Sequence, residues 1–374
     1  DAAYANKRGF SKHHPAEPLY TTIDALTALK LLAPLPFARW LELGPGVRAR
    51  FGNAGHILGA AFVEIRLAHA HLERPPAGPT AHPGETTLVF SGDLGRYGVP
   101  LHTDPDPRPA CDVLVIESTY GNREHETEPV LDQIRSAFAA TVRRRGIVLI
   151  PSFAVGRAQL IGLILRDLMR QGDLPDVPIH IDSPMAIDAT LIYSRHLYDG
   201  NLDTEIVEDG RSRLFPRRVH LHRTVHESKQ LNAMDGPRVI IASSGMMTGG
   251  RILHHLVRRL PDHNTLVLLT GYQAVGTRGR ALQDGAASLR MHGQEVPVNA
   301  QVMTVEGLSS HADRTEILRW VASGPQPPRR IFVVHGEPDS AAHLAGRLGA
   351  ATGAEVTVPE LGESFSLADM GGAG

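Results

Sequence analysis

Residues 305–320 read VEGLSSHADRTEILRW, and residues 329–348 read RRIFVVHGEPDSAAHLAGRL. Each passage runs from an apolar, β-prone segment through a turn holding a histidine into a helix-forming stretch. Packing asks nothing of an imidazole at a strand end, but loop backbone there is free to shape a site. His311 and His335 therefore point to the rim of an α/β sheet as the seat of the chemistry.

Three further strands end in the same way: NAGHILG presents His56, FSGDLG presents Asp93 and VIESTYG presents Glu117. A single His, Asp or Glu beside glycine is ordinarily a cap or a turn former. Five such residues, each closing an apolar run, are expected to converge on one rim.

Working outward, residues 123–299 alternate strands and helices. PVLDQIRSAFAATVRRR reads as helix, GIVLIPSF as strand, GRAQLIGLILRDLMRQG as helix and VPIHIDSPMA as strand. The flanks, 1–122 and 300–374, carry the more β-rich rhythm, so the organisation is one α/β domain inserted into another. Thr22 is the expected cap of a helix from Ile23 to Leu32, and the tail GESFSLADMGGAG is expected to fray.

Composition narrows the chemistry. The chain has 374 residues, 42% hydrophobic and 21% charged, with a net charge of −2, which excludes a broadly cationic surface but not a local basic cleft. No run reaches the ~20 apolar residues of a membrane span. The chain begins at Asp1, so a preceding segment is expected to have been removed or left unwritten. With one cysteine there is neither an intrachain disulfide nor a thiolate metal site, and Cys111 reads as a small core residue. A bound metal would need imidazole and carboxylate ligands, which suit zinc, manganese or iron.

Asp93 can offer one oxygen to each of two cations while His56 and His335 each donate a ring nitrogen. Such a cation pair activates a bridging water and clamps a phosphodiester, although three protein ligands fall short of holding two ions. Glu117 and His311 form a different pair. A carboxylate on one ring nitrogen fixes the tautomer and favours imidazolium, leaving the other nitrogen to face a scissile phosphate or a leaving oxygen. Asp313, at the start of the next helix, suits that helix N-terminus.

The inserted segment adds PSFAVGRAQ, ASSGMMTGGR and LTGYQAVGTRGR, strand ends rich in small residues, hydroxyls and arginine. Backbone amides and guanidinium groups in such turns hold anions. Ser152, Arg157, Ser244, Tyr272, Thr277, Arg278 and Arg280 are the candidates for phosphate contact. Neither GxxxxGK[ST] nor a clean GxGxxG after the first strand is present, so a nucleotide cofactor has no support. HLHRTVHES has zinc-like spacing at His220, His222 and His226 but reads as a strand and a surface turn.

In order along the chain, GNAGHILGA, FSGDLGR, VIESTYGNR, GRAQ, SSGMMTGGR, GYQAVGTRGR, SSHAD and VVHGE resemble the motifs of the β-CASP branch of metallo-β-lactamase-fold nucleases. That branch includes the cleavage-and-polyadenylation specificity factor endonuclease and its bacterial and archaeal relatives. The resemblance implies an αββα sandwich carrying an inserted β-CASP α/β domain, with single-stranded RNA entering between the two. It implies His56 and His335 as metal ligands, Asp93 as the carboxylate bridging two Zn²⁺ ions (Mn²⁺ being the alternative), and Glu117 and His311 as catalytic. Endonucleolytic cleavage is expected, with 5′–3′ exonuclease action in some members, in a cytoplasmic protein that a homodimer would suit.

The family signature HxHxDH, which supplies most of the side chains that touch the metals, does not precede residue 56. The resemblance therefore implies that residues 1–122 are an incomplete first part of the metallo-β-lactamase domain, with 123–299 the β-CASP domain and 300–374 the return. The sequence would then begin roughly a hundred residues late, leaving an inner strand as an apolar edge of the kind folded proteins avoid. A non-catalytic RNA-binding or scaffolding relative is the alternative, and an enzyme of the same fold acting on a thioester or lactam is a third. Aromatic content of 5% predicts few stacking platforms and weak sequence preference.

Overall fold

The computed structural model describes residues 2–9, 13–125, 130–198, 200–203 and 214–368. Residues 205–213 of the charged stretch that precedes HLHRTVHES lie outside it.

Residues 1–39 form a unit of their own. It contains α1 (Ala2–Arg8) and α2 (Thr22–Leu29). The cap of α2 is Thr21, one residue before the expected Thr22. Asp24 stands three residues after Thr21, and each side chain accepts the other's backbone N–H, closing a capping box. The helix also stops short of the expected Leu32.

From Trp40 onward the chain forms a second unit. Its first strands are β1 (Leu41–Gly44), β2 (Val47–Asn53), β3 (Ala61–Ala68), β4 (Glu85–Phe90) and β5 (Val113–Glu117). β1 to β4 are antiparallel neighbours, whereas β5 lies parallel to β4. The next segment holds α3 (Val130–Arg143), β6 (Ile147–Pro151), α4 (Arg157–Gln171), β7 (Ile179–Asp182), α5 (Pro184–Arg195) and β8 (Val219–Leu221). It continues through α6 (Val225–Ala233), β9 (Arg238–Ala242), α7 (Ile252–Arg259), β10 (Leu266–Leu269) and α8 (Arg278–Gln283). A hairpin of β11 (Ser288–Met291) and β12 (Gln294–Pro297) leads to β13 (Gln301–Thr304). The chain closes with α9 (Arg314–Ala322), β14 (Arg330–Val334), α10 (Pro338–Thr352) and β15 (Glu355–Thr357).

Two large sheets result. One has the order β1-β2-β3-β4-β5-β14-β15, and the other the order β13-β10-β6-β9-β7-β8. The second is built from parallel pairs and is covered on both faces. Val148 and Ile150 of β6 pack with Leu160 and Leu163 of α4, while Ile147 and Leu149 pack with Leu253 and Leu256 of α7. That double burial is why its strands are unbroken apolar runs. Its last strand, β13, lies beyond residue 299, because QVMT pairs with β10 instead of joining the outer sheet.

On one face of the outer sheet, Leu114, Ile116, Ile331 and Val333 pack against Ile317 and Trp320 of α9 and Leu344 and Leu348 of α10. On the other face, Val113 and Phe332 meet Phe365 and Leu367. The tail thus docks through residue 367 and is not frayed there: the Phe365 ring lies 4.6 Å from that of Phe332. Cys111 is buried, as expected. No helix among the described residues is long and apolar enough to cross a membrane.

Candidate active site

Strand direction assembles the site. β4, β5 and β14 run parallel, so the residues that follow them emerge at one rim. β3 runs antiparallel to β4, with Val63 opposite Phe90, which brings the β2–β3 loop and His56 to that same rim. Two glycines then let the loops close. A Cβ on Gly92 would lie 2.7 Å from the Ala61 carbonyl, and one on Gly95 would lie 2.1 Å from that of Gly55. Only a bare backbone permits that approach.

His56 Nε2 lies 4.0 Å from Asp93 Oδ2, and His335 Nδ1 lies 3.3 Å from Asp93 Oδ1. The ring of His311 is 4.2 Å from that of His56 and 6.1 Å from that of His335. His335 has a φ of +52°, a left-handed conformation that costs a non-glycine residue about 1–3 kcal/mol and is typical of functional turns. His311 Nδ1 sits 3.2 Å from Glu117 Oε1. Glu117 is buried and also accepts the backbone N–H groups of Leu94 and Thr119.

Burial holds His56 at about 4, with the neighbouring His311 adding to the shift and Asp93 and Glu117 opposing it. Its ring is therefore neutral and offers a lone pair. His311 is shifted the other way. Burial disfavours its charge, but the Glu117 hydrogen bond and charge, with that of Asp93, outweigh it and raise its pKa. Burial likewise works against the Glu117 carboxylate and is overcome by His311, Thr119 and Leu94, so its pKa falls. Each partner thus favours the charged form of the other.

His56, Asp93 and His311 bring ligand atoms within 4.8 Å of one another, and His335 meets the second Asp93 oxygen. Neutral imidazole and an open carboxylate fit a zinc-type cation. With Glu117 on its Nδ1, His311 keeps Nε2 for the cleft. A second cluster of His125, Asp313 and Glu316 is already committed to the fold. Asp313 caps α9, and Glu316 accepts from the Asp313 and Tyr97 backbones.

His56, Asp93, His311 and His335 line a cleft of about 770 Å³ to which the inserted segment also contributes. Arg157 and Tyr272 reach it, Tyr272 donating to Glu337 at 2.5 Å. Arg280 lines a smaller neighbouring pocket and is paired with Asp284. The remaining candidates for phosphate contact face elsewhere. Ser152 is buried and donates to the Phe153 carbonyl, and Ser244 bonds Thr248. Thr277 caps α8, while Arg278 donates to the carbonyls of Arg290 and Met247. His220 and His222 lie around β8 beside His180, and none of the three lines the cleft.

Two supports carry no sequence signal. His125 Nε2 bonds the His311 carbonyl at 3.0 Å, and its backbone N–H donates to Asp313. The Tyr193 hydroxyl accepts the Leu58 N–H at 3.0 Å and meets His102 Nε2 at 2.9 Å, bracing the His56 loop. Neither pairing is near in sequence.

Residues 158–282 match the Beta-Casp domain, and residues 295–359 match the Zn-dependent metallo-hydrolase RNA specificity domain. The chain is 36% identical to ribonuclease TTHA0252 of Thermus thermophilus over 357 residues, covering 94% of this chain and 76% of that protein. It is 30% identical to an RNase J-like protein of Methanocaldococcus jannaschii over 325 residues, 85% of this chain and 70% of the relative. It is also 31% identical to transcription termination factor FttA of Pyrococcus horikoshii over 344 residues, 88% of this chain but only 50% of that factor's length. The two large sheets are accordingly those of a metallo-β-lactamase fold carrying an inserted β-CASP domain. The chain belongs to the β-CASP family of metallo-β-lactamase-fold ribonucleases.

Proposed function

We propose that this chain carries the cleavage centre of a zinc-dependent endoribonuclease acting on single-stranded RNA. The observation that carries this reading is Arg157. The residue is 6% exposed and lines the same cleft as Asp93 and His311, and among the described residues its Nε and Nη1 have no partner. Its guanidinium donates from Nη2 to Ser310 Oγ at 3.2 Å. A buried cation with no anion beside it is costly, and a bound phosphate would relieve that cost.

His56, Asp93 and His335 would hold zinc, and zinc bound there makes water a competent nucleophile near neutral pH. Arg157 would bind and orient the phosphate. His311, kept protonated by Glu117, would hold a proton at Nε2 for the phosphate or the leaving oxygen. His125 would keep the His311 backbone in register.

The small number of ligands in the cleft also supports a second reading, an RNA-binding subunit without catalysis. Metal content and single-turnover cleavage of an unstructured RNA separate the two. The nuclease reading expects bound zinc, and cleavage that Asp93→Ala abolishes while much of the RNA binding remains. RNA binding with neither metal nor cleavage would make the protein a scaffold. Undiminished cleavage by Asp93→Ala would remove Asp93 from the chemistry.

A further inference from the structure

Part of the cleft lining is apolar, although a phosphate channel alone would call for polar lining. Phe153, Val155, Met185 and Val275 all line the cleft and are 41%, 40%, 66% and 68% exposed. Large apolar side chains left open together in a concave site mark a ligand with an apolar surface of its own.

Phe153 is held in place for such a ligand. A Cβ on Gly245 would lie 2.8 Å from Cδ2 and 3.0 Å from Cε2 of the Phe153 ring, so only a glycine lets the ring rest against that turn. The turn itself is pinned, since Gln273 Nε2 donates to both the Gly245 and Gly271 carbonyls. The Phe153 carbonyl accepts from Ser152 Oγ and from the Ala158 N–H, fixing the main chain under the ring. An aromatic ring fixed from behind and open in front loses little freedom on stacking.

Arg157 follows four residues later, at the first turn of α4, and its guanidinium lines the same cleft with Nε and Nη1 left without a partner among the described residues. A flat apolar surface and an unsatisfied cation on one short segment match the two halves of a nucleotide. We propose that Phe153 is a base-stacking subsite, which takes an unpaired nucleobase of the RNA next to the phosphate held by Arg157. This rests on the RNA-cleavage reading above and adds a base-dependent component to it. A base inside a duplex has both faces covered by its neighbours, so the subsite admits unpaired nucleotides. It is also tolerant of base identity, because every base has a π-face.

The test is fluorescence anisotropy of the full chain in an Asp93→Ala background with a labelled single-stranded RNA. The same oligomer carrying one abasic nucleotide at each position in turn is measured beside it. Phe153→Ala is expected to weaken binding of the intact RNA by about tenfold. One abasic position should weaken binding to the unsubstituted Phe153 protein by a similar factor, and combining the two changes should cost no more than either alone. Phe153→Tyr should restore affinity. Phe153→Leu, which keeps the bulk and loses the flat face, should not, and it guards against a folding defect in the alanine variant. Unchanged affinity in Phe153→Ala, or losses that multiply in the combination, would overturn the subsite while leaving the ribonuclease reading intact. A protein that binds no RNA at all would overturn both.

Discussion

Glu117 Oε1 lies 3.2 Å from His311 Nδ1 and takes the Leu94 N–H at 2.6 Å, so one buried oxygen both charges the histidine and anchors the Asp93 loop. Replacing Glu117 with glutamine keeps the shape and removes the charge. The His311 pKa is raised in part by that charge, so the variant should lose the proton at lower pH. If protonated His311 is required, the alkaline limb of the rate profile moves to lower pH in Glu117→Gln. His311→Ala should lower the cleavage rate by about 10²- to 10⁴-fold with bound zinc unchanged. Loss of metal in that variant would instead make His311 a ligand.

The Tyr193–His102 pair links α5 to the His56 loop, and its acid behaviour tests that link. Burial pushes His102 down to about 3, with His56, once protonated, and the Arg157 cation adding to it. An unfolded histidine takes up its proton near 6.5, so between these values the unfolded state binds a proton that the folded state refuses. Stability therefore falls as pH drops from about 6.5 toward 3, by up to about 1.4 kcal/mol per pH unit from this residue. In His102→Gln the difference in urea midpoint between pH 7 and pH 5 should be smaller than in the parent protein. Tyr193→Phe should cost about 1 kcal/mol at neutral pH through the lost acceptor for Leu58.

Much of this arrangement can be read in the sequence, for a geometric reason. Asp93, Glu117 and His335 each close or follow an apolar strand, and the parallel β4, β5 and β14 deliver them to one rim, whereas His56 arrives on an antiparallel loop and His311 on the segment that pairs with Gly95. What periodicity does not encode is the direction of a side chain within a turn. Arg157 and Arg278 both follow glycine-rich strand ends, yet one enters the cleft and the other donates to backbone carbonyls. His125 supports His311 across 186 residues, a relation no local pattern carries. Periodicity likewise does not say which sheet a four-residue strand joins, as QVMT at β13 illustrates.

Arg108 and Gly324 make a pair whose coupling is measurable. Arg108 is buried, and its guanidinium donates to the carbonyls of Val321, Pro109 and Gln326 and to Cys111 Sγ. A Cβ on Gly324 would lie 2.0 Å from Arg108 Nη2, and a guanidinium held at this many points has little room to yield. Gly324→Ala should cost about 1–3 kcal/mol in chemical denaturation. In an Arg108→Ala background the same glycine substitution should cost almost nothing, because the clash has no partner. Equal penalties in both backgrounds would show that Gly324 is required for its backbone and not for the space it leaves.

Asp182, at the end of β7, tests what holds the inserted domain together. It is fully buried and accepts from Arg251 Nη1 at 2.7 Å, His255 Nε2 at 2.8 Å and Ser228 Oγ at 2.6 Å. Burial alone would raise its pKa, but the bonds from His255, Ser228 and Arg251 overcome that and lower it below 3.8. A carboxyl whose folded pKa is depressed contributes stability above its unfolded value, and that contribution is lost as pH falls through the folded value. Asp182→Asn leaves three donors facing an amide that can accept at only one atom, and should cost about 3–5 kcal/mol at pH 7. The gap between the two proteins should hold steady down to about pH 5 and begin to narrow near pH 4, where the unfolded parent chain starts to protonate this carboxyl while the folded protein still keeps it charged. A gap that closes already between pH 7 and pH 6 would assign the effect to a histidine of the cluster and not to the aspartate.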